Sequence, residues 1–161
     1  MFNVDLNAKT NKDNTPFHFA CFFGPSKLVE MLIETSNEFH INLNTKAKDG
    51  YTAFHYACMH GEKMIAELLI YKSTEFHFDL NAVTKFGDTA FNLACMRNNK
   101  TIVEMMIEYA EAFNMDLIVK DNNGNTGFDC AEKCNCKDVV KIIKKKCQIL
   151  LSISHSESSR S

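Results

Sequence analysis

Residues 49–70 read DGYTAFHYACMHGEKMIAELLI, with His55, Cys58 and His60 falling inside six positions. On its own, that spacing would suggest a metal site or an activated thiol. The stretch is not on its own. NTPFHFACFFG (14–24), YTAFHYACMHG (51–61), DTAFNLACMRN (88–98) and NTGFDCAEKCN (125–135) are one phrase written four times. The threonines stand at 15, 52, 89 and 126, and 52−15, 89−52 and 126−89 all equal 37. A fixed period of this length is the signature of stacked structural repeats and changes the meaning of every residue inside it.

Within a unit the apolar residues recur at i, i+3 and i+4, the period of a helix rather than a strand. In the second unit Phe54, Ala57 and Cys58 line one short helix, and Ile65, Leu68 and Leu69 line the next. The break between the helices falls at Gly24, Gly61, Asn98 and Asn135, residue types that enter the left-handed conformation at low cost. A second turn precedes each repeated Thr, at Gly50, Gly87 and Gly124 with Asp13 in the first unit, and the Thr is placed to cap the helix that follows.

Turn, Thr-Pro or Thr-Ala, apolar residue, His, any residue, Ala, short helix, Gly and a Leu-rich second helix closely resemble the ankyrin repeat. TPFHFAC (15–21) is close to that family's T-P-L-H-x-A phrase, and the resemblance covers roughly residues 2–146. It implies an all-α solenoid of stacked helix-turn-helix units with protruding turns. The units read as 11–47, 48–84, 85–121 and 122–150, preceded by the tail end of a unit at 1–10 and followed by a polar tail at 151–161 expected to be disordered. MFNVDLNAKT matches the end of a unit, EFHFDLNAVT, so the chain is expected to be cut from a longer array.

The period exceeds the family's usual length of about 33 residues, and the additional residues fall in SNEFHINLN (36–44), TEFHFDLN (74–81) and EAFNMDLI (111–118). They are expected to extend the second helix by one turn, with Phe39, Phe76 and Phe113 as extra core. His40, His77 and Asn114 then stand where the chain leaves the helix and a positive φ is expected.

Period also decides the chemistry. His55 repeats His18, and Cys58 repeats Cys21 and Cys95. A metal site would not be rebuilt in every unit, and the resemblance places a small core residue at the Cys position and a hydrogen-bonding residue at the His position. Asn92 and Asp129 stand for the His in the last two units. Cys130, Cys134, Cys136 and Cys147 lack a zinc spacing; Cys130 is expected to pack and Cys134 to be exposed. Catalytic motifs are missing: no G-x-S-x-G, phosphate-cradling loop or H-E-x-x-H. The reading therefore assigns no catalytic residue, cofactor or metal ligand.

Bulk properties agree. The chain has 161 residues, 45% hydrophobic and 24% charged, with a formal net charge of −2. No global field would gather nucleic acid, and no apolar run would span a bilayer. Seven cysteines with few turn residues read as reduced thiols in an intracellular, cytoplasmic setting. Lys144, Lys145 and Lys146 give the last helix a polar outer side.

In a solenoid, function is sought where the register persists but the residue changes. Those positions are the turn tips and the ends of the first helices: Phe22, Phe23, Tyr51, Met59, His60, Lys85, Phe86, Met96 and Arg97. Aromatic residues, Met and Arg are enriched at interface hot spots. The expected partner of this monomer is another protein, bound by the tips and the concave face beside them, as the resemblance implies. Asn7, Asn44 and Asn81 recur at the unit junctions and resemble the site that asparaginyl hydroxylase modifies in ankyrin repeats. A passive spacer within a longer array is the third reading.

Overall fold

The computed structural model describes residues 4–158, with side-chain surroundings described through Gln148. Among these residues it contains helices and turns only: α1 (Pro16–Phe23), α2 (Ser26–Glu34), α3 (Ala53–His60), α4 (Lys63–Tyr71), α5 (Ser73–Phe76), α6 (Ala90–Met96), α7 (Lys100–Tyr109), α8 (Gly127–Lys133) and α9 (Lys137–Ser158). The short helices α1, α3, α6 and α8 stack in one layer, and α2, α4, α7 and α9 stack in a second. One hydrophobic core runs between the layers, from Phe17 and Ile33 through Ile65 and Leu69 to Met106 and Val139.

Each short helix begins on the repeated Thr. Thr52, Thr89 and Thr126 sit in extended backbone and accept the backbone N–H three residues on, satisfying a donor the helix itself cannot. Asp13, Gly50, Gly87 and Gly124 all have left-handed backbone, with φ of 58°, 82°, 81° and 81°. The turns they close project from the stack and join tip to tip: the N–H of Lys48 donates to the carbonyl of Lys12, Lys85 to Asp49, and Asn122 to Phe86.

The break between paired helices follows expectation at Gly61, Asn98 and Asn135, all with positive φ. Gly24 departs from it, with φ −81° and ψ 163°. Pro25 follows it, and the proline ring forces the preceding residue into extended backbone. The glycine serves a different need, because a Cβ there would lie 2.5 Å from the Ala20 carbonyl oxygen.

The inserted residues do not extend the second helix. In the first unit the hydroxyls of Thr35 and Ser36 donate to the Met31 and Ile33 carbonyls, each at 2.7 Å, sharing those acceptors with the Thr35 and Ser36 backbone N–H groups where the helix ends. In the second unit the helix stops at Tyr71 and a separate short helix, α5, follows. His40, His77 and Asn114 then turn the chain with positive φ, as expected. Phe76 and Phe113 pack against the core, but Phe39 is 55% exposed and is not core. The cause is stacking order. Phe113 rests on Tyr71 of the unit before it, at 5.5 Å between ring centroids, and among the described residues no unit precedes Phe39.

The carboxyl end differs as well. Helix α9 runs on to Ser158 through most of the stretch 151–161 that reads as a disordered polar tail. Neither Gly nor Pro interrupts 137–158, and an established helix propagates at little cost where nothing breaks it. Residues 159–161 lie outside the described chain.

Candidate functional site: the concave surface

The repeated His is a structural fastener. The backbone N–H of Thr52 donates to His55 Nδ1 at 3.1 Å, which fixes the proton on Nε2, and Nε2–H donates to the Asp88 carbonyl of the next unit at 3.2 Å. Burial holds the His55 imidazole down at about 4, so it is neutral at pH 7. His18 has the same Thr contact, Thr15 N–H to Nδ1 at 3.1 Å; its Nε2 faces the Thr45 and Tyr51 carbonyls without a hydrogen bond of good geometry. In the third unit Asn92 takes over and donates its amide to the Val119 carbonyl at 3.3 Å.

The cysteines are equally settled. Cys21, Cys58 and Cys95 are fully buried, and burial raises each thiol well above its ordinary range. Cys130 packs, raised to about 11 by burial and then by the Asp121 carboxylate, while Cys134 is exposed. No group of three or more His, Cys, Asp or Glu converges as a metal site among the described residues.

The sequence-derived residues fall into two sets. Phe22 lies against His60 with ring centroids 3.8 Å apart and meets Tyr56 at 5.9 Å; Tyr56 in turn stacks on Tyr51 at 5.5 Å, interplanar angle 29°. The Tyr56 hydroxyl donates to Asn14 at 2.8 Å, tying this aromatic run to the first turn tip. Burial and the nearby Arg97 cation both lower the His60 imidazole. Burial, then the Asp88 and Asp49 carboxylates, raise the Tyr51 phenol. Met59 and Met96 are half-buried, and Arg97 is exposed.

The second set sits on the tips. Phe86 is exposed, with the Lys85 ammonium 5.0 Å from its ring centroid and bridged to Asp49 of the neighbouring tip at 2.5 Å. Phe23 is exposed and joins the first set edge-on to Phe22, at 5.0 Å between ring centroids, with Phe19 at 6.1 Å on its other side. Tyr56 and Phe19 were not among the residues that sequence reasoning assigned to the site. The available signal was chemical: the position carries aromatic rings in the first two units and Leu93 and Cys130 in the last two.

Asn7, Asn44 and Asn81 are inter-unit staples. Their amides donate to the carbonyls of His40, Phe76 and Asn114 at 2.8, 2.9 and 2.8 Å. Asn7 and Asn81 also accept from the N–H groups of Asn42 and Asp116.

A stack of helix pairs with small residues in the short helices and tips joined edge to edge defines a helical-repeat solenoid. The family model described as ankyrin repeats (3 copies) matches residues 1–78 and 74–152, and the chain belongs to the ankyrin-repeat family. Comparison with curated proteins gives no match. Ankyrin repeats are generally protein–protein interaction modules and are typically not enzymes. No described helix is long and apolar enough to cross a membrane.

Proposed function

We propose that the chain is a scaffold or adaptor that binds a partner protein across its concave surface, with Phe22, Tyr51, His60, Phe86 and Arg97 as anchors and Met59, Met96 and Lys85 beside them. The observation that carries this reading is the aromatic run Phe22–His60–Tyr56–Tyr51, continuous across two units and left accessible on the side where stacking does not need it. Rigid aromatic side chains already held by neighbours lose little entropy on binding, and Arg97 and Lys85 supply charge at the rim.

The test is capture of partners from a lysate by the wild-type chain and by Tyr51→Ala/Phe86→Ala/Arg97→Ala, both shown folded by circular dichroism. A partner retained by the wild type and lost by the variant supports the reading and names the ligand. Equal capture by both moves the site elsewhere. For Asn7, Asn44 and Asn81 the staple bonds favour an architectural role over hydroxylation, and an added oxygen found on these residues by mass spectrometry of native protein would reverse that preference.

A further inference from the structure

The joint between the first and second units opens into a cavity of about 190 Å³ lined by Lys12, Asn14, His18, Phe19, Phe22 and Tyr56. Contacts across the joint form its walls. The Tyr56 ring meets His18 edge-on at 5.7 Å and Phe22 at 5.9 Å between centroids, and its hydroxyl donates to Asn14 Oδ1 at 2.8 Å. Stacking leaves this side open: Met59 and Met96, the register mates of Phe22, are only half-buried although a unit stands on either side of each.

Size limits what can enter. A cavity of about 150 Å³ holds a benzene ring, whereas sites for cofactors and drug-sized ligands run from about 300 to 1,000 Å³. The space therefore fits one aromatic or branched aliphatic side chain. Charge limits it further. The Asn14 carbonyl oxygen is taken by Tyr56, so Asn14 presents its Nδ2 amide, a donor, and Lys12 presents an ammonium, which can only donate. Neither group meets an acceptor among the described residues. At the far end of the aromatic run Arg97 is exposed beside His60 and Tyr51. Neighbouring carboxylates do not answer these donors: Asp49 bridges Lys85, Asp88 is buried, and Asp13 and Glu62 stand outside the lining.

On the partner-binding reading above, we infer that this cavity receives one aromatic or branched aliphatic side chain from an acidic segment of the partner, whose carboxylates meet Lys12 and Asn14 at the tip and Arg97 at the far end of the run. The rings hold the anchor and keep water from it, while the exposed cations select an acidic sequence and speed its encounter. A basic segment would bring cations against Lys12 and Arg97 and leave the Asn14 amide without an acceptor.

Selection of random peptides displayed on phage against the full chain tests it, with the selected sequences then synthesised and titrated by fluorescence anisotropy. The expected sequences carry net negative charge and share one aromatic or branched aliphatic residue flanked by Asp or Glu. Phe22→Ala should weaken their binding by about tenfold or more, and Lys12→Glu by about fivefold, both with an unchanged circular dichroism spectrum. If Phe22→Ala loses its fold, Lys12→Glu, on an exposed tip, carries the same test. Added salt should weaken binding to the wild type more than to Lys12→Gln. Enrichment of basic or uncharged sequences, no enrichment at all, or acidic sequences indifferent to Phe22→Ala and Lys12→Glu overturns the assignment. The wider partner site survives that failure if the selected sequences are still lost by Tyr51→Ala/Phe86→Ala/Arg97→Ala, and falls with it if they bind that variant equally.

Discussion

The second and fourth units occupy the same register and meet different surroundings. In the second, Ile70 is fully buried, His55 reaches into the third unit, and Gly87 of the next tip lies tight against the tip that follows. In the fourth, Lys144 stands where Ile70 stood, Asp129 where His55 stood, and a Cβ on Gly124 would meet nothing within 4 Å. At these positions the backbone is shared, and the presence of a neighbour sets the chemistry. The same glycine conformation therefore answers to two constraints in the middle of the stack and to one at its end.

The largest test of that contrast is Ile70→Ala against Lys144→Ala. Removing a fully buried Ile should cost about 4 kcal/mol, while the exposed Lys should change stability by less than about 0.5 kcal/mol, both read by urea denaturation. Next comes Gly87→Val against Gly124→Val. Both residues have φ of 81°, but a Cβ at position 87 would lie 2.7 Å from the Asn122 backbone nitrogen. Strain plus collision should cost on the order of 3 kcal/mol at 87, and strain alone about 1 kcal/mol at 124. Equal losses would show that the tips do not press on one another.

The last effect concerns pH. His55 is held at about 4 when folded against the usual 6.5 when unfolded. Below pH 6.5 the unfolded chain binds a proton that the folded chain refuses, so stability falls with acidification through that window. The loss between pH 7 and pH 5 should be about 2 kcal/mol from this residue. His18 is shifted in the same direction. His55→Asn, which copies Asn92 of the third unit, should therefore flatten the pH dependence without abolishing it; an identical slope in the variant would show that His55 carries a proton in the folded state.

Much of this architecture was legible in the sequence because the period repeats each local signal. The Thr caps, the left-handed turns before them and the positive φ at His40, His77 and Asn114 depend on neighbours a few residues away. What was not legible depends on context beyond the repeated phrase. Gly24 follows Pro25 rather than its register mates, and the Thr35 and Ser36 hydroxyls bond back into the last turn of a helix that apolar spacing alone would continue. Phe39 and Phe76 are the same residue at the same position, yet one is exposed and one packs, a difference that belongs to stacking order. For the concave surface, sequence found the variable positions but not that Tyr56 would bridge Phe22 to Tyr51, because helical spacing does not reveal which rings meet across two units.

The staples and fasteners between units join residues close in sequence: 32 apart for Asn44 to Phe76, 33 for His55 to Asp88 and 42 for Tyr56 to Asn14. A chain so wired never has to wait for its far end. During synthesis, which proceeds from the amino terminus at about 5–20 residues per second, each unit acquires its cross-links within seconds of the next one leaving the ribosome. The order of emergence is then also the order of assembly.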